Sequence, residues 1–188
     1  MGGCWERMIG IARRILDSLL STVTQLTHEI LTTFMAEVTS IMNARPLIPI
    51  DSDPDFPIPL TPAILLTIKT EQTVRSFRVD EFSHKDLYKN QWRAVQQLAN
   101  SFWKRWRSQY LPTLQVRRKW EQQCKKLQEG DVVLLKDKCI HRNEWPIGII
   151  DKTYIGSDGH VREVEVRLGT NRKTFLRPAS EVVVILSK

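Results

Sequence analysis

Cysteine is scarce in this chain. Its 188 residues hold three, Cys4, Cys124 and Cys139, an odd number at wide spacing. That arithmetic argues against a disulfide framework and for reduced thiols in an intracellular protein. Paired short spacings of Cys and His are lacking too. Cys124, Cys139, His141 and His160 are only loosely grouped, which argues against a structural zinc site. There is no glycine-rich phosphate loop and no serine or cysteine nucleophile motif. No apolar run is long enough to span a bilayer, and no charged-then-apolar leader opens the sequence. The expected location is therefore nuclear or cytoplasmic, with no membrane partner.

What the chain does have is positive charge, unevenly placed. The net charge is +7. Residues 1–70 carry five basic and seven acidic side chains, residues 71–129 thirteen and six, and residues 130–188 ten and eight. The whole excess thus sits in the middle, and a segregated excess implies a local field and an anionic partner.

The hydrophobic pattern divides the chain in the same three places. Residues 1–70 read as helices. Trp5, Met8, Ile9, Ala12, Ile15, Leu16 and Leu19 make one apolar stripe, and Ile30, Leu31, Phe34, Val38, Ile41 and Met42 a second. Thr27 is a candidate N-cap, and Pro46 stops the second helix near Arg45. Thr61-Pro62 opens a short third helix. These stripes are expected to lie open, because the three helices cannot bury each other well. Residues 71–129 hold a long basic helix with Leu87, Trp92, Val95, Leu98, Phe102, Trp106 and Tyr110 at helical spacing, ended or kinked by Pro112. Residues 130–188 change period. Five short apolar runs, one flanking the Ser157-Asp158-Gly159 hairpin signal, predict a small five-stranded barrel of the SH3-like type. The fold class expected is α+β.

The run Phe102-Trp103-Lys104-Arg105-Trp106-Arg107 interleaves aromatics with cations, as backbone-tracking nucleic-acid binders do. Helical spacing assigns its aromatics to packing. Lys104, Arg105 and Arg107 then read as a phosphate surface, continued by Arg117, Arg118 and Lys119. Lys136, Lys152 and Arg167 are expected to add less. Trp145 and Tyr154 are weighed as a cage for a methylated lysine, against the plainer reading of packing. Glu6, in the first turn of a helix, is where the helix dipole favours a carboxylate.

Gly2-Gly3-Cys4-Trp5-Glu6-Arg7, Asn43-Ala44-Arg45-Pro46-Leu47 and Pro59-Leu60-Thr61-Pro62 look like the end of the catalytic domain of Pao/BEL-type retrotransposon integrases. Phe102-Trp103-Lys104-Arg105-Trp106, Tyr110-Leu111-Pro112, Gly130-Asp131-Val132-Val133 and Trp145-Pro146-Ile147-Gly148 resemble the C-terminal region of the same proteins. The matches run in order over nearly the whole chain. The resemblance implies that residues 1–70 are a remnant of an RNase H-like integrase core. It also implies that Glu6 is the third carboxylate of an Asp, Asp, Glu triad, and that residues 130–188 are the integrase C-terminal domain. In that family the triad holds Mg²⁺ or Mn²⁺, and basic residues four and seven positions after the glutamate contact donor DNA. Here the fourth is Gly10 and the seventh is Arg13. The two aspartates would stand upstream of Met1, so Glu6 alone is expected to hold no metal cofactor and the fragment to be inactive by itself as a polynucleotidyl transferase. The function expected is DNA binding in the service of DNA integration. A second copy of the chain or a chromatin protein is a further candidate partner. The competing class is a domesticated adaptor that binds chromatin or protein and leaves Glu6 idle.

Overall fold

The computed structural model describes residues 3–23, 26–50, 58–67, 86–114, 127–137, 140–157, 159–169 and 172–187. In chain order the elements begin with α1 (Gly3–Leu20), α2 (His28–Asn43), β1 (Ile48–Ile50), β2 (Ile58–Leu60), α3 (Pro62–Thr67) and α4 (Asp86–Leu114). Strands β3 (Val132–Leu135), β4 (Ile147–Ile155), β5 (Val161–Leu168), β6 (Thr174–Pro178) and β7 (Val182–Leu186) follow, with a 3-10 turn at Ala179–Glu181 before the last. None of the described helices is long and apolar enough to cross a membrane.

The predicted caps form. Thr27 Oγ1 accepts from the Ile30 N–H at 3.3 Å and Thr61 Oγ1 from the Ile64 N–H at 3.2 Å, each satisfying one orphan donor of a first turn. Helix α2 closes with the Ala44 N–H on the Ser40 carbonyl. Pro46 then holds Arg45 out of the helical region. Pro112 falls inside the last turn of α4, which runs on to Leu114.

Contacts group the residues into two units. The first holds α1, α2, α4 as far as Tyr110, and residues 141–143. Its apolar stripes are not left open, contrary to the expectation for residues 1–70. Ile11, Ala12, Ile15 and Leu19 of α1 are buried, as are Ile30, Phe34, Val38 and Ile41 of α2. From α4, Val95, Ala99, Phe102, Trp103, Trp106 and Tyr110 are buried. Phe34 meets Phe102 edge to face, with centroids 6.5 Å apart, so the aromatic face of α4 covers the stripe of α2. Arg142 clasps two helices. Its guanidinium donates to Gln96 Oε1 at 2.8 Å and Asn100 Oδ1 at 3.3 Å on α4, and pairs with Glu37 of α2 at 3.2 Å.

The second unit holds the described residues from Arg45 through α3, then Leu111 onward apart from 141–143. Its strands form one antiparallel sheet of order β6-β5-β4-β3-β7, and β1 lies beside β7. Val133, Leu135, Ile150, Val164, Val166 and Val182 fill one face. Leu134, Ile147 and Val183 fill the other against Leu111 and Leu114 from the last turn of α4. Strands β3 and β7 are thus covered on both faces, which is why their sequences read as unbroken apolar runs.

The five expected strands are present, but the ladder has two free edges and does not close into a barrel. It is nonetheless curled. Flat, its edges β6 and β7 would stand about 19 Å apart at a strand spacing of ~4.8 Å. Yet only four Cα steps join Pro178 to Val182, a reach of about 15 Å at most. The Arg177–Asp137 pair, at 3.8 Å, reaches from β6 across to the end of β3, and the Lys136 N–H on the Glu181 carbonyl at 2.8 Å extends the β3–β7 ladder into the turn.

One glycine makes the curl possible. A Cβ on Gly148 would stand 2.5 Å from Val166 Cγ1 and 2.6 Å from the Arg167 carbonyl oxygen, inside the β4–β5 contact. The second of these is backbone and cannot swing aside. Gly148→Ala is therefore expected to destabilise the chain by about 1–3 kcal/mol. Chemical denaturation of parent and variant measures this, and an unchanged midpoint would refute the close approach.

Candidate nucleic-acid interface

Helix α1 carries its charges on two separate rows. At 100° per residue, Glu6, Arg13 and Asp17 fall opposite the buried stripe of Ile11, Ile15 and Leu19. Arg7, Arg14 and Ser18 fall along one flank of that stripe. All six side chains are exposed. Arg13 is thus on the face expected for it, two turns from Glu6.

Helix α4 has a different economy. From Asn90 to Leu114 it contains no acidic residue but carries Arg93, Lys104, Arg105 and Arg107. The four do not share one environment. Lys104 and Arg93 point outward. Arg105 lies on one flank of the aromatic stripe and donates from Nη1 to Ser18 Oγ of α1 at 2.9 Å. Arg107 lies on the opposite flank, in the row of Gln96 and Asn100 that Arg142 clasps, and is only 9% exposed. It is a packed residue, so its place in a solvent-facing phosphate surface is corrected. The buried stripe of α4 is wider than the spacing of its aromatics suggests, because Trp103 is buried as well. Arg117, Arg118 and Lys119 lie outside the described residues.

Sequence reasoning passed over Arg7 and Arg14. Their signal is their spacing from Ser18, which only the Arg105 hydrogen bond makes meaningful. Among the described residues, Arg7, Arg13, Arg14, Arg93 and Lys104 form no ion pair, so their charge is open to solvent.

Of the three sheet cations expected to add less, two have partners close by. Arg167 pairs with Asp151 at 3.2 Å, and Lys136 Nζ donates to the Ser180 carbonyl at 2.8 Å. Lys152 stands opposite Glu165 in the β4–β5 register. The caged-lysine reading meets a geometric obstacle. Trp145 packs beside the cluster of Leu134, Ile147 and Val183. Tyr154 sits at the far end of β4, exposed and bonded to Glu165 at 3.2 Å. Seven residues of strand separate Ile147 from Tyr154, about 23 Å.

Among the described residues, Glu6 has no partner for a two-metal centre. Such a centre needs carboxylates shared between cations about 4 Å apart. The other carboxylate on its row, Asp17, is eleven residues along the helix, about 16 Å away. No group of three or more His, Cys, Asp or Glu that could hold a metal exists among the described residues.

The fold is a mixed helix-and-sheet one, with a long helix and a five-stranded open antiparallel sheet. The chain belongs to a family of unknown function (DUF5641), whose model matches residues 90–185, from α4 to the end of β7. No curated protein matches, and no solved structure matches.

Two outcomes follow from these placements. Arg107→Ala should lower stability by about 1–2 kcal/mol through lost packing, whereas Lys104→Ala should stay within about 0.5 kcal/mol of the parent. Thermal melts that rank the two the other way would contradict the assignment of flanks. In addition, the 188-residue chain with Mg²⁺ or Mn²⁺ should yield no more joined DNA ends than its Glu6→Gln variant, which has lost the anionic ligand.

Proposed function

We propose that this chain is a DNA-binding fragment of a retrotransposon integrase, acting in DNA integration. On this reading Glu6 occupies the position of the third triad carboxylate, and the first helices derive from an RNase H-like core. The curled sheet corresponds to the SH3-like C-terminal domain. Three supports stand behind it. The ordered motifs resemble those integrases over nearly the whole chain. The sheet is a meander whose last strand pairs back onto its first, after a 3-10 turn. The carrying observation is the acid-free cationic run of α4 beside cations on α1 that form no ion pair among the described residues.

One observation favours a second reading. Tyr154, Ile155 and Leu176 are exposed at the far end of β4 and on the adjoining β6 edge. Exposed apolar side chains near a free strand edge suit a protein partner, as an adaptor would need.

Salt dependence separates the two. Neutralising phosphates releases counterions, so log affinity for random duplex DNA should fall linearly with log salt, by about 0.9 per phosphate contacted. Replacing Lys104 and Arg105 together by alanine should weaken binding to all duplex sequences about equally and make the slope shallower by about 1.8. Fluorescence anisotropy at several salt concentrations measures both. A double variant with unchanged affinity and slope would leave the helix a solvated face and favour the adaptor.

A further inference from the structure

We propose that the phosphate-binding surface is built across two helices, with Arg7 and Arg14 of α1 and Arg105 of α4 forming one row that follows a single sugar-phosphate strand. The inference rests on the DNA-binding reading and specifies its surface. Arg105 is the hinge of the argument. Its hydrogen bond to Ser18 Oγ, 2.9 Å long, holds a guanidinium from α4 against α1. Ser18 is one turn past Arg14, and Arg14 is two turns past Arg7. Three cations from two helices therefore share one flank, and all three are exposed.

Among the described residues, the row is free of opposing charge. The carboxylates of α1, Glu6 and Asp17, stand about 100° round the helix, with Arg13. On the adjoining flank of α4 lie Leu98, Ser101, Arg105 and Ser108, none of them acidic. Within the row itself only Ile11, 4% exposed, separates Arg7 from Arg14. Three like charges along one flank set up a local positive field that favours an anion there. A polyanion fits better than a single small ion because the row is long. Eleven residues from Arg7 to Ser18 span about 16 Å. One strand of duplex DNA carries a phosphate per ~3.4 Å of axis, so the row matches about five nucleotide steps.

Helix α1 also lacks a basic residue in its own last turn. Arg105 supplies one from α4, and a cation there is favoured by the helix dipole. This gives the Ser18 contact a purely structural use, and the test must tell it apart from phosphate binding.

The measurement is duplex affinity against salt for the full chain and for R7A/R14A, S18A and R13A, with thermal melts of each. R7A/R14A should keep the parent melting temperature and lose about 1.8 from the salt slope. S18A removes no charge, so it should keep the slope while weakening binding a few-fold, because Arg105 is no longer held in the row. R13A should lose at most one phosphate's worth of slope. If the parent binds with a steep slope that K104A/R105A reduces but R7A/R14A does not, the two-helix row is overturned and the DNA-binding reading survives. If the parent shows no salt-dependent binding, both fall together. Should R7A/R14A prove unstable, R7Q/R14Q keeps most of the stem packing and must show the same loss of slope.

Discussion

The aromatic column of α4 sets the terms for everything around it. Phe102, Trp106 and Tyr110 recur every four residues and stack along the helix, with centroids 6.1 and 5.6 Å apart and rings within 11° of parallel. All three are buried, and Phe34 of α2 closes on the first. Each such ring removes roughly 150–250 Å² from water, and each aligned pair adds about 0.5–1.5 kcal/mol beyond that burial. Rotating α4 to present another face would forfeit several kcal/mol. The azimuth of the helix is therefore fixed by its aromatics, and its charged residues take whatever places remain.

That constraint explains why three neighbouring cations have three fates. With Trp106 pointing inward, the residue before it falls on one flank and the residue after it on the other. Arg105 consequently reaches Ser18, whereas Arg107 enters the packed row beside Gln96 and Asn100. Lys104, two positions before the tryptophan, is carried outward into solvent. A similar logic operates in the sheet. The four-step turn between β6 and β7 forces curl, and Gly148 permits it by letting β4 approach β5 without a side chain between them. The polar rim of that curled sheet then pairs within itself, Arg167 with Asp151 and Arg177 with Asp137.

Much of the architecture could be read from local chemistry. Threonine caps at Thr27 and Thr61, the block at Pro46, the hairpin before Val161 and the period-two runs all correspond to observed boundaries within a few residues. These signals act over a few positions and need no tertiary information. Four features lay beyond that reach. The stripes of α1 and α2 were expected to be open because their cover comes from α4, more than fifty residues further along the chain. Arg107 was expected to be exposed because Trp103 widens the buried stripe of α4 to one side, which spacing alone leaves undecided. Arg7 and Arg14 passed unnoticed because nothing in α1 marks that flank. It becomes distinct only once Ser18 meets Arg105. Curl without ladder closure is likewise a matter of how edges meet, not of how many strands there are.

Glu6 and the cationic row also stand apart, and the separation has a consequence. Resemblance draws attention to Glu6 and to Arg13, which share the outward row of α1. Geometry draws attention to Arg7, Arg14 and Arg105, about a quarter turn away. A lone carboxylate repels phosphate unless a metal lies between them, so a strand tracking the outward row would meet that repulsion at Glu6. A strand on the flank row would keep its distance from Glu6 while neutralising three cations. Binding on the flank therefore requires nothing of Glu6. On the proposed DNA-binding reading, the physical separation of the two rows lets contact with a phosphate strand proceed independently of Glu6.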